Sequence, residues 1–229
     1  MQIHGTRNGK MKKFFSIFGT IILLLVAVAL IFNQPIKEYA VKRIAEHNLT
    51  TLTAKKAASN AKKKGEFDFN KVKPISATQV AKASVNNDAA VIGKMAVPSV
   101  NLRLPIVVGL SDNALSTGGG TMKENEKMGK SNYALAGHYM TNKGALFSPL
   151  ENAKIGDLAY ITDMKRVYTY KIYYKKIVPP TAVYLLDDVE NQSILTLITC
   201  ADGGTNRWAL QGSLVKSQPA NKNTLAVFS

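Results

Sequence analysis

The chain of 229 residues holds a single cysteine, Cys200, at the end of Ser193-Ile-Leu-Thr-Leu-Ile-Thr-Cys200. A run of β-branched and aliphatic residues of this length reads as a buried strand. The strand opens into Ala201-Asp-Gly-Gly-Thr205, and Arg207 and a second strand over 208–215 follow. The Gly-Gly turn makes this a hairpin, with a thiol and a guanidinium side by side at one rim of a sheet. His138 ends a further apolar stretch, Ser131-Asn-Tyr-Ala-Leu-Ala-Gly-His138. A thiolate can attack an amide carbonyl and hold the acyl group as a thioester. An imidazole can take the thiol proton and return a proton to the leaving amine near neutral pH. A guanidinium beside them can stabilise a developing oxyanion or hold backbone carbonyls, and lysine lacks its planar fork of donors. Each residue also has an ordinary reading: a packed cysteine, a structural histidine, a surface hairpin arginine. Of the other histidines, His4 precedes an apolar run and His47 lies in a lysine-rich segment, so only His138 is embedded among strands.

The elements that must position these groups are short strands punctuated by turns. Residues 91–97 and 105–109 read as strands separated by a turn at Pro98. Residues 112–122 are polar and glycine-rich, with Gly118-Gly-Gly120 marking a break. Residues 132–137 form the strand that ends in His138, and 144–152, with Phe147 and Pro149, a short helical turn. Residues 157–162 and 166–178 read as a hairpin around Asp163-Met-Lys165, closed by Pro179-Pro180, and 183–191 is a loop before the cysteine strand. Such a succession implies a mostly β, closed or nearly closed barrel.

Ahead of the barrel lies a different kind of sequence. Residues 1–13 are basic, with Arg7, Lys10, Lys12 and Lys13 and no acid, and residues 14–32 carry no charge. As a helix that uncharged stretch is about 28 Å long, close to the roughly 30 Å hydrocarbon core, and predicts a transmembrane anchor. Ala27-Val-Ala29 has the small-x-small form of a leader cleavage site, but Leu30-Ile-Phe32 keeps it inside the apolar run. Lys37, Lys42 and Arg43 follow the span closely, so charge alone barely orients it. Residues 33–73, with Lys62-Lys-Lys64 and little sustained apolar face, read as a helical or partly disordered stalk, and 74–229 as the folded domain.

Composition narrows the function classes. One cysteine excludes an internal disulfide framework, and no C-x-x-C pair or histidine cluster points to zinc. The formal charge of +15 implies anionic surroundings. With no nucleic-acid-binding module in the sequence, a membrane surface or an anionic wall polymer fits better than nucleic acid, against the plain alternative of a solubilising surface.

Leu135-Ala-Gly-His138, Thr196-Leu-Ile-Thr-Cys200 and Arg207, with Thr121-Met-Lys-Glu-Asn125 and Leu146-Phe-Ser-Pro-Leu150 in the same order, resemble the sortases, and in detail their class A group. The sortases are the cysteine transpeptidases that attach surface proteins to the Gram-positive cell wall. The resemblance implies an eight-stranded sortase-type β-barrel with short helices behind one transmembrane helix. It also implies a cytoplasmic N-terminus and an external catalytic domain. Cys200, His138 and Arg207 take the catalytic roles. Ala136, Thr196, Ile198 and Thr199 on the barrel wall, with Leu185 and Leu186 from the preceding loop, take the substrate contacts. The implied partners are surface proteins with L-P-x-T-G sorting signals and the amine of a lipid-linked peptidoglycan precursor; a homodimer is left open. No cofactor is expected. In calcium-stimulated members acidic groups sit in the loop before the histidine strand, whereas Lys123 and Lys130 align there, although Glu126 and Asp188 remain acidic. Hard cations need several oxygen ligands, so calcium independence is expected. A cysteine hydrolase that gives the acyl group to water, and a catalytically silent basic wall-binding domain, are the alternatives.

Overall fold

The computed structural model describes residues 7–85, 88–140 and 144–229, so His4 and the first six residues of the basic N-terminus lie outside it. The chain divides into two units, Met1–Lys37 and Glu38–Ser229. The first is helical. Helix α1 (Arg7–Ile31) is basic in its first turns and apolar from Phe14 on, and its large apolar side chains, such as Leu23 at 72% exposure, are uncovered. Among the described residues no single helix is long and apolar enough to cross a membrane; Lys12–Val28 meets that test only together with the helix after it.

The second unit is a closed barrel of eight strands in the order β1-β2-β3-β4-β7-β8-β6-β5. These are β1 (Val91–Val97), β2 (Leu102–Val107), β3 (Gly119–Thr121), β4 (Ser131–Ala136), β5 (Leu158–Thr162), β6 (Arg166–Val178), β7 (Ser193–Ala201) and β8 (Asn206–Pro219). Two neighbouring pairs, β2 with β3 and β4 with β7, run parallel, and the others are antiparallel. Period-two alternation sends one set of side chains inward. Met95, Leu104, Ile106, Tyr133, Leu135, Ile161, Tyr170, Leu195, Leu197 and Leu210 fill the barrel, with Phe147 and Leu150 added from between β4 and β5. Closure leaves no sheet edge among these strands to be protected.

Most of the expected strands are present, with β8 running on to Pro219, but the second lies at 102–107 rather than 105–109, the glycines read as a break supply β3, and helices occur where the sequence reads as turns. Residues 112–122 contain a short helix, Asp112–Thr117, started by Ser111, whose hydroxyl accepts from the Ala114 N–H. Its Ala114 and Leu115 are buried, and that burial outweighs the polar look of the segment.

Helix α2 (Asn33–Thr51) covers the first part of the lysine-rich stretch. From residue 38 onward it buries Val41, Ile44, Ala45, Asn48 and Leu49, the three- and four-residue spacing of one helix face. Val41 and Ala45 belong to the same apolar cluster as the barrel interior. Helix α3 (Ala54–Asn60) is capped by Thr53 and packs on β1, where the Asn60 side chain donates to the Val91 carbonyl. The small alanines on these faces are why the sequence shows so little apolar signal there.

Candidate active site

The site is assembled by β7 and its two neighbours. β7 pairs antiparallel with β8 so that Cys200 lies directly opposite Arg207. Residues opposite one another in such a pair share a face, with Cβ atoms roughly 5 Å apart. On its other side β7 runs parallel to β4, with Ala136 opposite Ile198. The ladder continues one residue further, since Gly137 N–H donates to the Ile198 carbonyl and the Thr199 hydroxyl donates to the Gly137 carbonyl. His138 follows Gly137 as Cys200 follows Thr199. The chain thus delivers His138 from the end of β4 to the same end of the barrel as Cys200.

Two glycine features shape this rim. Residues Asp202, Gly203 and Gly204 all have positive φ, so the chain turns left-handed as it leaves the cysteine strand, a conformation glycine adopts freely. At Gly137 the requirement is space, because a Cβ there would lie 2.5 Å from the Phe147 ring. Phe147 N–H in turn donates to the His138 carbonyl. The residue before the histidine is small so that an aromatic ring can brace the backbone.

Cys200 is half-buried and free. His138 is 7% exposed, and burial lowers its pKa to about 4, with the Asp112 carboxylate opposing the shift. The imidazole is therefore neutral at pH 7 and able to accept a proton. Its Nε2 has no hydrogen-bond partner among the described residues. Arg207 Nη1 donates to the carbonyls of Gly204 and Asn206, which pins the guanidinium to its own hairpin. Its Nε and Nη2 make no hydrogen bond among the described residues.

The wall beside the thiol is apolar. Ile198, on the Cys200 face by alternation, packs with Ala136 and Leu186 over Leu110, Leu115, Met122 and Ala134. On its other side it meets Leu185, Val178 and Ala209. Leu185 and Leu186 lie on a 3-10 turn, Val183–Leu186. Four of the six expected substrate contacts, Ala136, Ile198, Leu185 and Leu186, thus converge beside Cys200. The other two are committed elsewhere. Thr196 is fully buried; its hydroxyl donates to Asn132 Oδ1 at 2.6 Å and accepts from Gln211 Nε2 at 3.1 Å. Thr199 is 2% exposed, and its hydroxyl is the one that ties β7 to Gly137.

Sequence reasoning passes over the residues that hold this wall. Asn132 donates from Nδ2 to the carbonyls of Leu185 and Asp187, and Gln211 donates to Leu185 as well. Both look like ordinary strand polars; no spacing rule singles them out. Lys123 Nζ reaches Asp188 Oδ1 at 2.6 Å and the Leu186 carbonyl at 3.0 Å, fastening the same turn to the β3–β4 connection. Glu126 accepts from the Ala134 N–H, and burial raises its pKa to about 8. Among the described residues no three histidine, cysteine or carboxylate groups gather as a metal would need.

Comparison with known proteins bears on this arrangement. The family model for the sortase domain matches residues 95–215, which hold every strand from β2 to β7 and most of β8. The chain belongs to the sortase family. It is similar to sortase A of Streptococcus agalactiae, 39% identical over 220 residues that cover 91% of this chain and 89% of the relative. It is also similar to sortase A of Listeria monocytogenes, 36% identical over 88% of this chain and 92% of that one. The crystal structure of the Listeria monocytogenes sortase A superposes with a TM-score of 0.58 at 35% identity, covering 60% of this chain and 96% of that one. With relatives of this kind over most of its length, this sortase is a class A, sortase A-type transpeptidase. Its eight-stranded closed barrel is the fold the sequence motifs imply.

Proposed function

We propose that this sortase cleaves the Thr–Gly bond of L-P-x-T-G sorting signals and joins the threonyl carbonyl to the amine of a lipid-linked cell-wall precursor. Cys200 is the nucleophile, His138 the acid and base, and Arg207 the electrostatic element. The thiol proton passes to the neutral imidazole and Sγ adds to the threonyl carbonyl carbon. The C–N bond then breaks as His138 returns the proton to the leaving glycine nitrogen, and a thioester remains on Cys200. An incoming amine attacks the thioester, gives its proton to His138, and the C–S bond breaks to restore the thiol. One peptide bond is exchanged for another, so the balance needs neither ATP nor metal. The observation that carries this reading is how β7 is flanked: Cys200 lies opposite Arg207 on one neighbour, and Gly137, the residue before His138, is tied to Ile198 and Thr199 on the other.

In this reading Ile198, Ala136, Leu185 and Leu186 receive the Leu and Pro of the signal, apolar wall against apolar side chains. Thr196 and Thr199 act through the backbone they hold rather than by touching substrate. Arg207 uses its free Nε and Nη2 on the substrate's carbonyl oxygens. The ammonium of Lys123, already on Asp188 and the Leu186 carbonyl, supports calcium independence, because a cation entering that place would have to displace it.

We infer further that residues 14–32 anchor the chain in the cell membrane with residues 1–13 cytoplasmic, a connecting segment over 33–73 and the catalytic domain, 74–229, outside. The uncovered apolar side chains of α1 support this, since a surface of that kind seeks an apolar medium. The test uses the full chain in detergent micelles with an L-P-x-T-G peptide, with and without a glycine-based amine. Mass spectrometry is expected to find the threonyl product joined to the amine, and none with Cys200→Ala. Cleavage with no joined product would favour hydrolysis, and an intact peptide would overturn the assigned signal.

A further inference from the structure

His138 lies beyond the end of its strand, and its Nε2 has no partner among the described residues to hold the ring. Its position comes from the backbone that follows. Phe147 N–H donates to the His138 carbonyl, and Tyr139 bridges to Leu146. Met140 N–H donates to Ser148 Oγ, which donates back to the Met140 carbonyl. The Tyr139 hydroxyl donates to Glu151 Oε2. On the side after His138, the described contacts that fix the histidine thus converge on residues 146–151, which carry no chemistry themselves.

That segment is tied in turn to the strands on the arginine side. Lys175, half-buried on β6, donates from Nζ to the Glu151 carbonyl at 2.6 Å and the Ala153 carbonyl at 2.8 Å. These carbonyls lie at the end of the 3-10 turn Ser148–Asn152, where unsatisfied acceptors need a donor. The same ammonium lies 4.6 Å from the centre of the Trp208 ring. Trp208 directly follows Arg207, and β6 pairs with β8 along this stretch, Ile177 opposite Trp208 and Val178 opposite Arg207. Glu151 is therefore a node. Its side chain takes the residue after His138, and its carbonyl takes a lysine stacked on the residue after Arg207.

We propose that Tyr139, Glu151 and Lys175 are positioning residues that set the imidazole against the Cys200–Arg207 strand pair by joining its backbone to β6 and β8. The inference rests on the assignment of Cys200, His138 and Arg207 made above. A misplacement of about 1 Å costs up to ~100-fold in rate, so loosening the node slows the chemical step while leaving the apolar peptide wall intact.

The test is steady-state kinetics of the full chain in detergent micelles, with the L-P-x-T-G peptide and an amine. Tyr139→Phe, Glu151→Ala and Lys175→Met are each expected to lower kcat about 10- to 100-fold with KM within about twofold. Lys175→Arg keeps donors for both carbonyls and a cation over Trp208, and recovers most of the rate. Glu151→Gln keeps an acceptor for the Tyr139 hydroxyl and stays near the native rate. Tyr139→Phe/Glu151→Ala loses less than the sum of the two single variants, because both cut the same link. Alkylation of Cys200 by iodoacetamide at pH 7 slows in step with kcat, which a loss of stability alone would not produce. Lys176→Met is the control at the native rate. The inference is overturned if Tyr139→Phe and Lys175→Met match the native kcat per folded molecule; should Lys175→Met fail to fold, Tyr139→Phe decides alone. Cys200→Ala in the same assay keeps the two readings apart. If it remains active the site assignment fails, whereas if it is inert while Tyr139→Phe is native-like only the positioning role fails.

Discussion

At the residue scale, the proposed chemistry rests on a histidine kept neutral by burial. A protonated imidazole in this place would lack both water and a partner, so its pKa falls to about 4. The sign for activity follows directly. Lowering the pH from 7 to about 5 does not protonate His138, so kcat/KM stays level across that range, where an exposed histidine would begin to titrate near 6.5. A pH–rate profile that bends downward below pH 6.5 would contradict this. The sign for stability is the reverse of a favourable pairing. The unfolded chain takes up a proton at His138 below about pH 6.5 and the folded chain does not, so this histidine weakens folding progressively from pH 6.5 down to about 4. The pairing of Cys200 with Arg207 and the strand-end place of His138 were legible in the sequence because rare residue types fell at strand ends beside turn glycines. Phe147 was not, since nothing in the sequence says that the space left by Gly137 is filled by a ring eleven residues short of β5.

Elements explain how the peptide wall keeps its shape. The turn Val183–Leu186 packs Leu185 and Leu186 on the barrel wall, and its carbonyls are held by Asn132, Thr196, Gln211 and Lys123 from four different parts of the barrel. Asn132→Ala removes the donor to the Leu185 and Asp187 carbonyls and the acceptor of the Thr196 hydroxyl, leaving Gln211 and Thr196 to hold Leu185, a cost of about 1–3 kcal/mol. The turn then loosens, and KM for the signal peptide is expected to rise about tenfold with a smaller change in kcat; unchanged KM would show that the turn does not bind substrate. Millimolar calcium is expected to leave the rate of the native chain unchanged, and a stimulated rate would show that the Lys123 ammonium yields its place on Asp188. Strand order and strand ends could be read from β-branched runs and turn residues. The network could not, because the hydrogen bonds of Lys123 and Asn132 join residues more than fifty positions apart and only the closed barrel brings them together.

On the scale of the whole molecule, the catalytic unit reaches further toward the N-terminus than its β pattern does. Val41 and Ala45 of α2 share a cluster with the barrel interior, and Leu52 and Ala57 pack with Val91, Val107 and Ala114. The alanine- and lysine-rich sequence hides this face, since alanine contributes little to any hydropathy pattern while still burying fully. A chain that starts at residue 38 is expected to keep the native Tm, whereas one that starts at 74 loses these contacts. At roughly 1.5–3 kcal/mol for each fully buried large aliphatic, the loss is on the order of several kcal/mol. At about 2–4 °C per kcal/mol, thermal unfolding should show a drop of ~10 °C or more; equal midpoints would mean that residues 38–73 merely pack on the surface. The central claim, that Cys200 carries the acyl group between donor and acceptor, has a more direct test. The full chain is mixed with an L-P-x-T-G peptide in the absence of amine, quenched in acid within the first turnovers, and weighed intact. A species heavier by the threonyl fragment, present in the native chain, absent in Cys200→Ala and discharged by an added amine, is the predicted result. Cleavage of the peptide with no such adduct, or an adduct that survives loss of Cys200, would contradict the account.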